Sequence, residues 1–424
     1  MDIDDVDNIL TKGRDFAQEG ISGLTVYSGN VLEEFLPALR GPKMFQVYKE
    51  MSRNDPVVGA ILLASKQLIR RASWRVETSG TSNKDLEAKE FLQTCIDDMS
   101  HTWSDMISDI LSMLIYGWSY HEIVYKRREG ARSRTSVSSM FNDYRIGWAK
   151  IEGRAQETTY EWKFNDFLEL EGLYQVAPPD YQIRYIPFSK SLLFRTDSTK
   201  TNPEGYSLLR NAYRPWFFKK RIEEIEGIGI ERDLAGLPVL TTPDGLNIWN
   251  SRDSEMTKVK AAAERLVRNV RRDQNEGIVL PFGWKLELLG SASRRQFDTN
   301  EIINRYDQRI AICMLADIIM MGSDKVGSFA LGEVKKGLFA AGLEIFLDSI
   351  ADVFNRYAIP RLFEINAFPA DIKLPVLVHG QVESPDLREL ARYIDILSDK
   401  GIPLFDEKTI EHLREIASLP ITRT

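Results

Sequence analysis

A chain of 424 residues is long enough to bury a substantial core and to divide into two or three domains. Its 43 % apolar and 28 % charged residues are those of a globular protein and exclude a fibrous or low-complexity chain. The formal net charge of −7 argues against a protein that grips nucleic acid through surplus Lys and Arg, though not against one that encloses it. The start, MDIDDVDNIL, is acidic where a secretory signal would be basic. The longest apolar run, 310–321, contains Asp317 and is too short to span a bilayer, so a soluble intracellular product with no membrane partner is expected. Cys95 and Cys313 both sit in apolar helical contexts and read as buried thiols, not as a disulfide.

Residues 1–50 show weak periodicity and read as an arm with one short helix. Asn54-Asp55-Pro56 is a capped helix start, followed by Val57, Val58, Ile61, Leu62, Leu68 and Ile69 at helical spacing. Residues 74–77 alternate like a strand. Helices are expected at 84–99 and from 100 to Gly117, then a strand at 118–126. The polar, serine-rich stretch 127–143 reads as a loop. From 146 to 195 the signal is β, with strands at 160–164, 181–186 and 191–194. A long helix is expected after Asn202-Pro203-Glu204-Gly205, continuing to about 234, with Pro215 kinking or re-capping it near its start and Gly236 and Pro238 stopping it. Residues 237–293 read as an α/β insertion: a strand at 238–241, a helix at 254–272 and a hairpin-like pair, 277–281 with 284–289. A second long helix is expected over 298–321, a glycine-bearing loop over 322–332, a third long helix over 333–363, and two short amphipathic helices from 384.

Catalytic signatures are absent from this pattern. There is no GxxxxGK[ST] loop, HExxH, GxSxG elbow or CxxC pair. His101, His121, His379 and His412 lie at no metal-ligand spacing and read as structural or surface residues. Gly227-Ile228-Gly229 is a fragment of a dinucleotide motif inside a helical pattern. Asp97-Asp98 reads as a solvated helix face, and His121 and Glu122 would point to opposite faces of a strand. No catalytic residue, metal or cofactor is assigned.

Several strings, taken in order, resemble the portal proteins of tailed bacteriophages, closest to the Mu-like branch. These are Asp55-Pro56-Val57 leading to Trp74-Arg75-Val76; Tyr116-Gly117-Trp118-Ser119-Tyr120-His121-Glu122-Ile123-Val124-Tyr125; Asn202-Pro203-Glu204-Gly205-Tyr206-Ser207-Leu208-Leu209-Arg210; and Glu231-Arg232 followed by Gly236-Leu237-Pro238-Val239. The resemblance implies an α+β portal fold with wing, helical stem, small α/β clip and short helical crown. Carried onto this chain, 1–50 would be an N-terminal arm, 51–205 the first part of the wing, 206–236 and 294–321 the stem, and 237–293 the clip. Residues 322–332 would be a tunnel loop, 333–375 the tunnel helix with the rest of the wing, and 376–424 a short crown. The implied function is a non-enzymatic ring, usually of twelve copies, at one capsid vertex, through which DNA is packaged and ejected. Its implied partners are further copies of itself, double-stranded DNA bound without sequence preference, the terminase large subunit, the major capsid and scaffolding proteins, and head-completion or adaptor proteins. Its implied place is the virion, with assembly in the bacterial cytoplasm. The alternatives are a minor capsid or head–tail adaptor protein and a phage-encoded nuclease.

Two sets of residues are candidates to face DNA. In and after the glycine-bearing loop they are Ser323, Asp324, Lys325, Val326, Ser328 and Phe329, with Lys335 and Lys336 placed to reach backbone phosphates or simply to be solvated. On the insertion helix they are Lys258, Lys260, Arg265, Arg268, Arg271 and Arg272, a basic surface for DNA or a motor protein, or an exposed face that partly pairs with itself through Glu264 and Arg268. On physical grounds alone, two long helices flanking an autonomous insertion bury little surface by themselves. A closed ring of copies would supply the missing neighbours.

Overall fold

Asp55 sets the first strong element, because its carboxylate accepts the amides of Val57 and Val58 at 3.0 Å each. In the computed structural model this cap separates helix α1 (Pro42–Asn54) from α2 (Pro56–Arg71), and a small hairpin, β1 (Val26–Tyr27) with β2 (Asn30–Val31), precedes them. The structure describes residues 20–131, 138–235, 237–249, 254–269, 279–289, 298–316, 329–369, 371–382, 392 and 394–396. They fall into two compact units, Met1–Ala212 with Ala311–Thr424, and Tyr213–Ile310.

In the first unit, β3 (Trp74–Glu77) leads to α3 (Asn83–Asp97), opened by a capping box between Ser82 and Asp85. The expected single helix from 100 is two: α4 (Trp103–Ile110), capped by Thr102, and α5 (Met113–Tyr116). The break falls at Ser112, whose hydroxyl accepts from Gln156 at 2.8 Å and meets Ser119 at 3.2 Å. Gly117 ends α5 in the left-handed region at φ +91°, as its position predicts. Next come β4 (Trp118–Arg127), β5 (Ile146–Arg154), β6 (Thr159–Phe164), β7 (Leu170–Val176), β8 (Ile183–Pro187) and β9 (Ser191–Arg195). They form two antiparallel three-stranded sheets, β5–β4–β9 and β6–β7–β8. Trp118, Tyr120, Trp162, Leu173, Ile186 and Leu193 form one core cluster that draws on strands of both sheets, with the Trp118 and Trp162 rings 4.9 Å apart.

Two expectations fail here. Asp97 is exposed, but Asp98 is buried, paired with the equally buried Lys126 at 3.1 Å and accepting from Ser139 Oγ at 2.7 Å and the Met140 amide at 2.8 Å. Arg127 closes β4, and 128–143 is loop where described. It is nevertheless pinned: Arg128 is buried, lies 4.2 Å from the Phe141 ring and pairs with Asp143 at 3.1 Å. Of the cysteines, Cys95 is buried as expected, whereas Cys313 is exposed.

The second unit holds α6 (Tyr213–Ala235), β10 (Leu237–Thr241), α7 (Ser254–Asn269), β11 (Lys285–Leu289) and most of α8 (Thr299–Cys313). Helix α6 begins at Tyr213, later than 206, which puts Pro215 in the first turn where its missing N–H leaves no bond unmade. Upstream, the Leu208 amide is committed to Leu114 O at 3.2 Å. Strand β11 pairs with β10 over five residues; of its expected partner 277–281, residues 279–281 are not strand and 277–278 lie outside the described residues. Residues 281–284 turn instead, with the Trp284 amide donating to Pro281 O at 3.1 Å and Gly283 at φ +82°. Helix α8 ends at Cys313 rather than 321, since Leu315 adopts φ +55°, a conformation a helix cannot continue.

The chain returns to the first unit with α9 (Phe329–Val353), so 329–332 are helical and not loop, while 317–328 lie outside the described residues. The expected helix 333–363 is interrupted by a π-turn (Phe354–Ala358) before α10 (Ile359–Ile365). Pro360 has no amide to offer Arg356 O, and the wider turn absorbs the loss. At this turn Phe354 packs within 5.0 Å of the Trp103 ring and 5.7 Å of Phe194. A strand not expected from the sequence, β12 (Val376–His379), pairs with β3, and Asn355 clamps Leu377 by both its amide and its carbonyl. The two helices expected from 384 lie outside the described residues, apart from helical positions 392 and 394–396.

Candidate functional site

The titratable groups are arranged for structure. Among the described residues no group of His, Cys, Asp and Glu could hold a metal ion. His121 is fully buried beside Ser119 Oγ at 2.7 Å, and loss of solvation pushes it down to about 3. His101 is also pushed down by burial, and His379 meets Asp348 at 2.9 Å. His412 lies outside the described residues. Glu122 stays on the other face of β4, held by Arg154. No described helix is long and apolar enough to cross a membrane.

What the second unit offers is surface. Lys219 of α6 is 2 % exposed and meets Asp307 of α8 at 2.6 Å, a close ion pair rather than an aligned hydrogen bond. Glu226 of α6 accepts from Thr299 Oγ1 of α8. The contact thus advances along α6 as it retreats along α8, so the two helices are antiparallel. Phe218 and Tyr306 stack across them at 6.3 Å. Phe217, Ile225 and Ile228 lie within about 80° of one another on a helix of 3.6 residues per turn. They are nonetheless open to solvent, Ile225 at 64 % and Ile228 at 50 %. Arg221 sits 5.9 Å from Phe217 and Arg214 sits 6.0 Å from Phe218. An apolar stripe with guanidinium groups along it is the composition of a protein interface.

Of the sequence candidates on α7, Lys258, Arg265 and Arg268 are exposed and Lys260 is half-buried, while Arg271 and Arg272 lie outside the described residues. Glu264 pairs with Lys260 at 4.0 Å, one turn back, and not with Arg268 as its spacing suggested. Lys260 Nζ lies 3.9 Å above the exposed Trp249 ring. In the first unit, Lys336 is exposed and Lys335 half-buried near the start of α9. Ser323, Asp324, Lys325, Val326 and Ser328 lie outside the described residues, and of Phe329 only its helical backbone is described.

Sequence reasoning missed a projecting turn. Phe282 is fully exposed, with Val279 nearly so, and the turn at 281–284 abuts a second at 243–246, where the Leu246 amide donates to Pro243 O at 3.2 Å. A Cβ on Gly283 would stand 2.9 Å from Pro243 Cβ, so glycine is required there both for φ and for space. The repeated Pro-x-Gly spacing at Pro243-Asp244-Gly245 and Pro281-Phe282-Gly283 was the available signal.

Comparison with known proteins fits this mixed architecture. A family model described as the portal protein of Mu bacteriophage matches residues 45–417. A chain in the virion of a native gene transfer agent particle matches with a TM-score of 0.51 at 9 % identity, over 89 % of this chain and 94 % of that one. A chain in the neck of the native particle, computed with C12 symmetry, gives 0.50 at 9 % identity over the same shares. An HK97 family phage portal protein from Corynebacterium diphtheriae gives 0.43 at 12 % identity, over 80 % of this chain and 95 % of that one. The first two likenesses extend to the α+β fold along nearly the whole chain, and the family match covers most of it: the chain belongs to the portal-protein family of Mu-type bacteriophages.

Proposed function

We propose that copies of this chain close into a ring, twelve in number, at one capsid vertex and form the channel through which DNA is packaged and ejected. The observation that carries the reading is the open stripe of Phe217, Ile225 and Ile228 on a helix already paired with α8 through Lys219 and Asp307. An apolar stripe left after the intrachain partner is satisfied calls for a neighbour, and a repeated head-to-tail contact closes into a ring. Family membership and the neck computed with C12 symmetry support the closure and its number.

In this reading 51–205 and 333–375 are wing, 206–236 and 294–321 stem, 237–293 clip, 322–328 tunnel loop running into the first turn of α9 at 329–332, and 376–424 crown. The clip, with Lys258, Lys260, Arg265, Arg268, Arg271 and Arg272, docks the terminase large subunit during packaging and the head-completion proteins afterwards. The wing meets the major capsid and scaffolding proteins. Residues 323–329 with Lys335 and Lys336 line the channel. A few cations on a chain of net charge −7 contact phosphates without arresting a moving duplex. The work is mechanical and assigns no residue to catalysis. Electron microscopy of the purified chain tests it: annular particles with a central hole are expected, and a mass equal to one chain at every concentration and salt would overturn the ring.

A further inference from the structure

The first unit contains a groove that the ring reading does not use. A cavity of about 320 Å³ opens between α2, β3, α3 and α4, floored by Trp74, Ile96, Trp103 and Ile107, and it continues along the last turn of α2 past Arg70 and Arg71. That volume is within the range of sites that take one or two side chains or a small ligand. The groove's chemistry is mixed in a definite way. The floor is aromatic and aliphatic, while Arg70 and Arg71 rim it against one lining carboxylate, Asp97, and Arg75 at the edge is already paired with Glu77 at 2.6 Å. Arg70 and Arg71 are exposed, and Arg70 is steadied by Ser104 Oγ at 3.1 Å. The indole N–H of Trp103 is buried and has no acceptor among the described residues. An occupant should therefore bring apolar side chains for the floor and carboxylates for the rim.

One segment of this chain has that composition. Residues 2–10 read Asp-Ile-Asp-Asp-Val-Asp-Asn-Ile-Leu, with acids at 2, 4, 5 and 7 and apolar residues at 3, 6, 9 and 10. The segment precedes residue 45, where the family match begins. It also precedes Gly20, the first described residue, and the 14 residues from Val6 to Gly20 can extend roughly 46–50 Å, a tether that lets the segment search the surface of its own or an adjoining copy. We propose that the groove is the receptor for this acidic N-terminal segment, with Arg70 and Arg71 taking its carboxylates and the Trp74–Trp103 floor taking Val6 or Ile3.

Photo-crosslinking of the full-length chain tests this. With benzoylphenylalanine at position 6, irradiation and peptide mapping should give crosslinks concentrated in 67–76 and 93–107. Arg70→Glu with Arg71→Glu should lower that yield at least tenfold while thermal unfolding is unchanged, because both side chains are exposed. Adding Asp4→Lys and Asp5→Lys to the reversed groove should restore it. A mixture of isotopically light and heavy chains assigns the contact to one copy or to two, and either assignment supports the proposal. Crosslinks mapping elsewhere, none at all, or a yield insensitive to the charge reversal would overturn it, whether or not the chain forms rings.

Discussion

Trp162 donates its indole N–H to Glu204 at 3.3 Å, just ahead of the segment that leads into α6. The residue retains some surface, but its carboxyl is desolvated, and this pushes it up to about 7 against a partial offset from the indole. The folded chain therefore holds this proton more tightly than the unfolded chain, whose carboxyl titrates near 4.5. Stability from this group is intact below 4.5, declines as pH rises from 4.5 to about 7, and stays reduced above. Glu204→Gln should be more stable than the native chain at pH 8, by up to about 3 kcal/mol, and equal to it near pH 4.5. Denaturant titrations at the two pH values read the difference directly, and an equal effect at both would refute the assignment.

Gly117 and Glu204 form the other half of this junction. A Cβ on Gly117 would lie 2.6 Å from Glu204 O, and its φ of +91° is one that side chains resist. Gly117→Ala should cost more than about 2 kcal/mol, from backbone strain and the clash together. Gly227→Ala is the opposite case, because a Cβ there, inside α6, meets nothing within 4 Å. It should stabilise by about 0.5–1 kcal/mol through lost freedom of the unfolded chain. Unfolding midpoints for the pair should move in opposite directions.

What the sequence disclosed follows the range of the forces involved. Asp55, Pro56 and Gly117 act within a few residues, so the helix edges they set are readable from their neighbours alone. The same holds for the strands at β4, β6 and β9, where alternation is local. Asp98 misled because its partner Lys126 and the acceptor demand of Ser139 come from distant parts of the chain. The pairing of β11 with β10 was not legible because ladder pairing depends on which edge folds back, and β12 is too short to be noticed without β3. Of the candidate site, the cations were legible as residues. Their pairing was not, since Lys260 divides itself between Glu264 and Trp249.

The Lys219–Asp307 pair should hold α6 to α8. Lys219→Met leaves a carboxylate enclosed without its cation, with an expected loss of about 3–5 kcal/mol. Adding Asp307→Leu should return most of it, because two apolar groups replace two charges of similar volume. Chemical denaturation of the two single variants and the double variant gives the coupling, and additive losses would show that the ion pair does not join the helices.

If α7 meets DNA or a motor through its exposed cations, Lys258→Ala, Arg265→Ala and Arg268→Ala together should leave assembly intact. Affinity of the assembled protein for duplex DNA should then become less salt-dependent, the slope falling by about one for each phosphate that is no longer neutralised. Fluorescence anisotropy across a salt series measures that slope. An unchanged slope would assign these cations to solvent, or to a protein partner alone.

The sharpest consequence concerns Ile225 and Ile228. Both side chains are on α6 and both are largely exposed within a single copy. A carboxylate at either position therefore costs an isolated chain little, since surface substitutions away from a packed feature stay within about 0.5 kcal/mol. Between copies the same carboxylate would be buried in an apolar seam at every contact around the ring, each carrying an unpaired charge. Ile225→Asp with Ile228→Asp should thus keep the circular dichroism and unfolding midpoint of the native monomer and lose the annular particles, with light scattering reporting a single-chain mass. Arg221→Ala, which removes a neighbouring guanidinium but no apolar area, should weaken assembly without abolishing it. Rings that persist in the double aspartate variant would mean that α6 faces solvent in the assembly and that the subunits meet elsewhere.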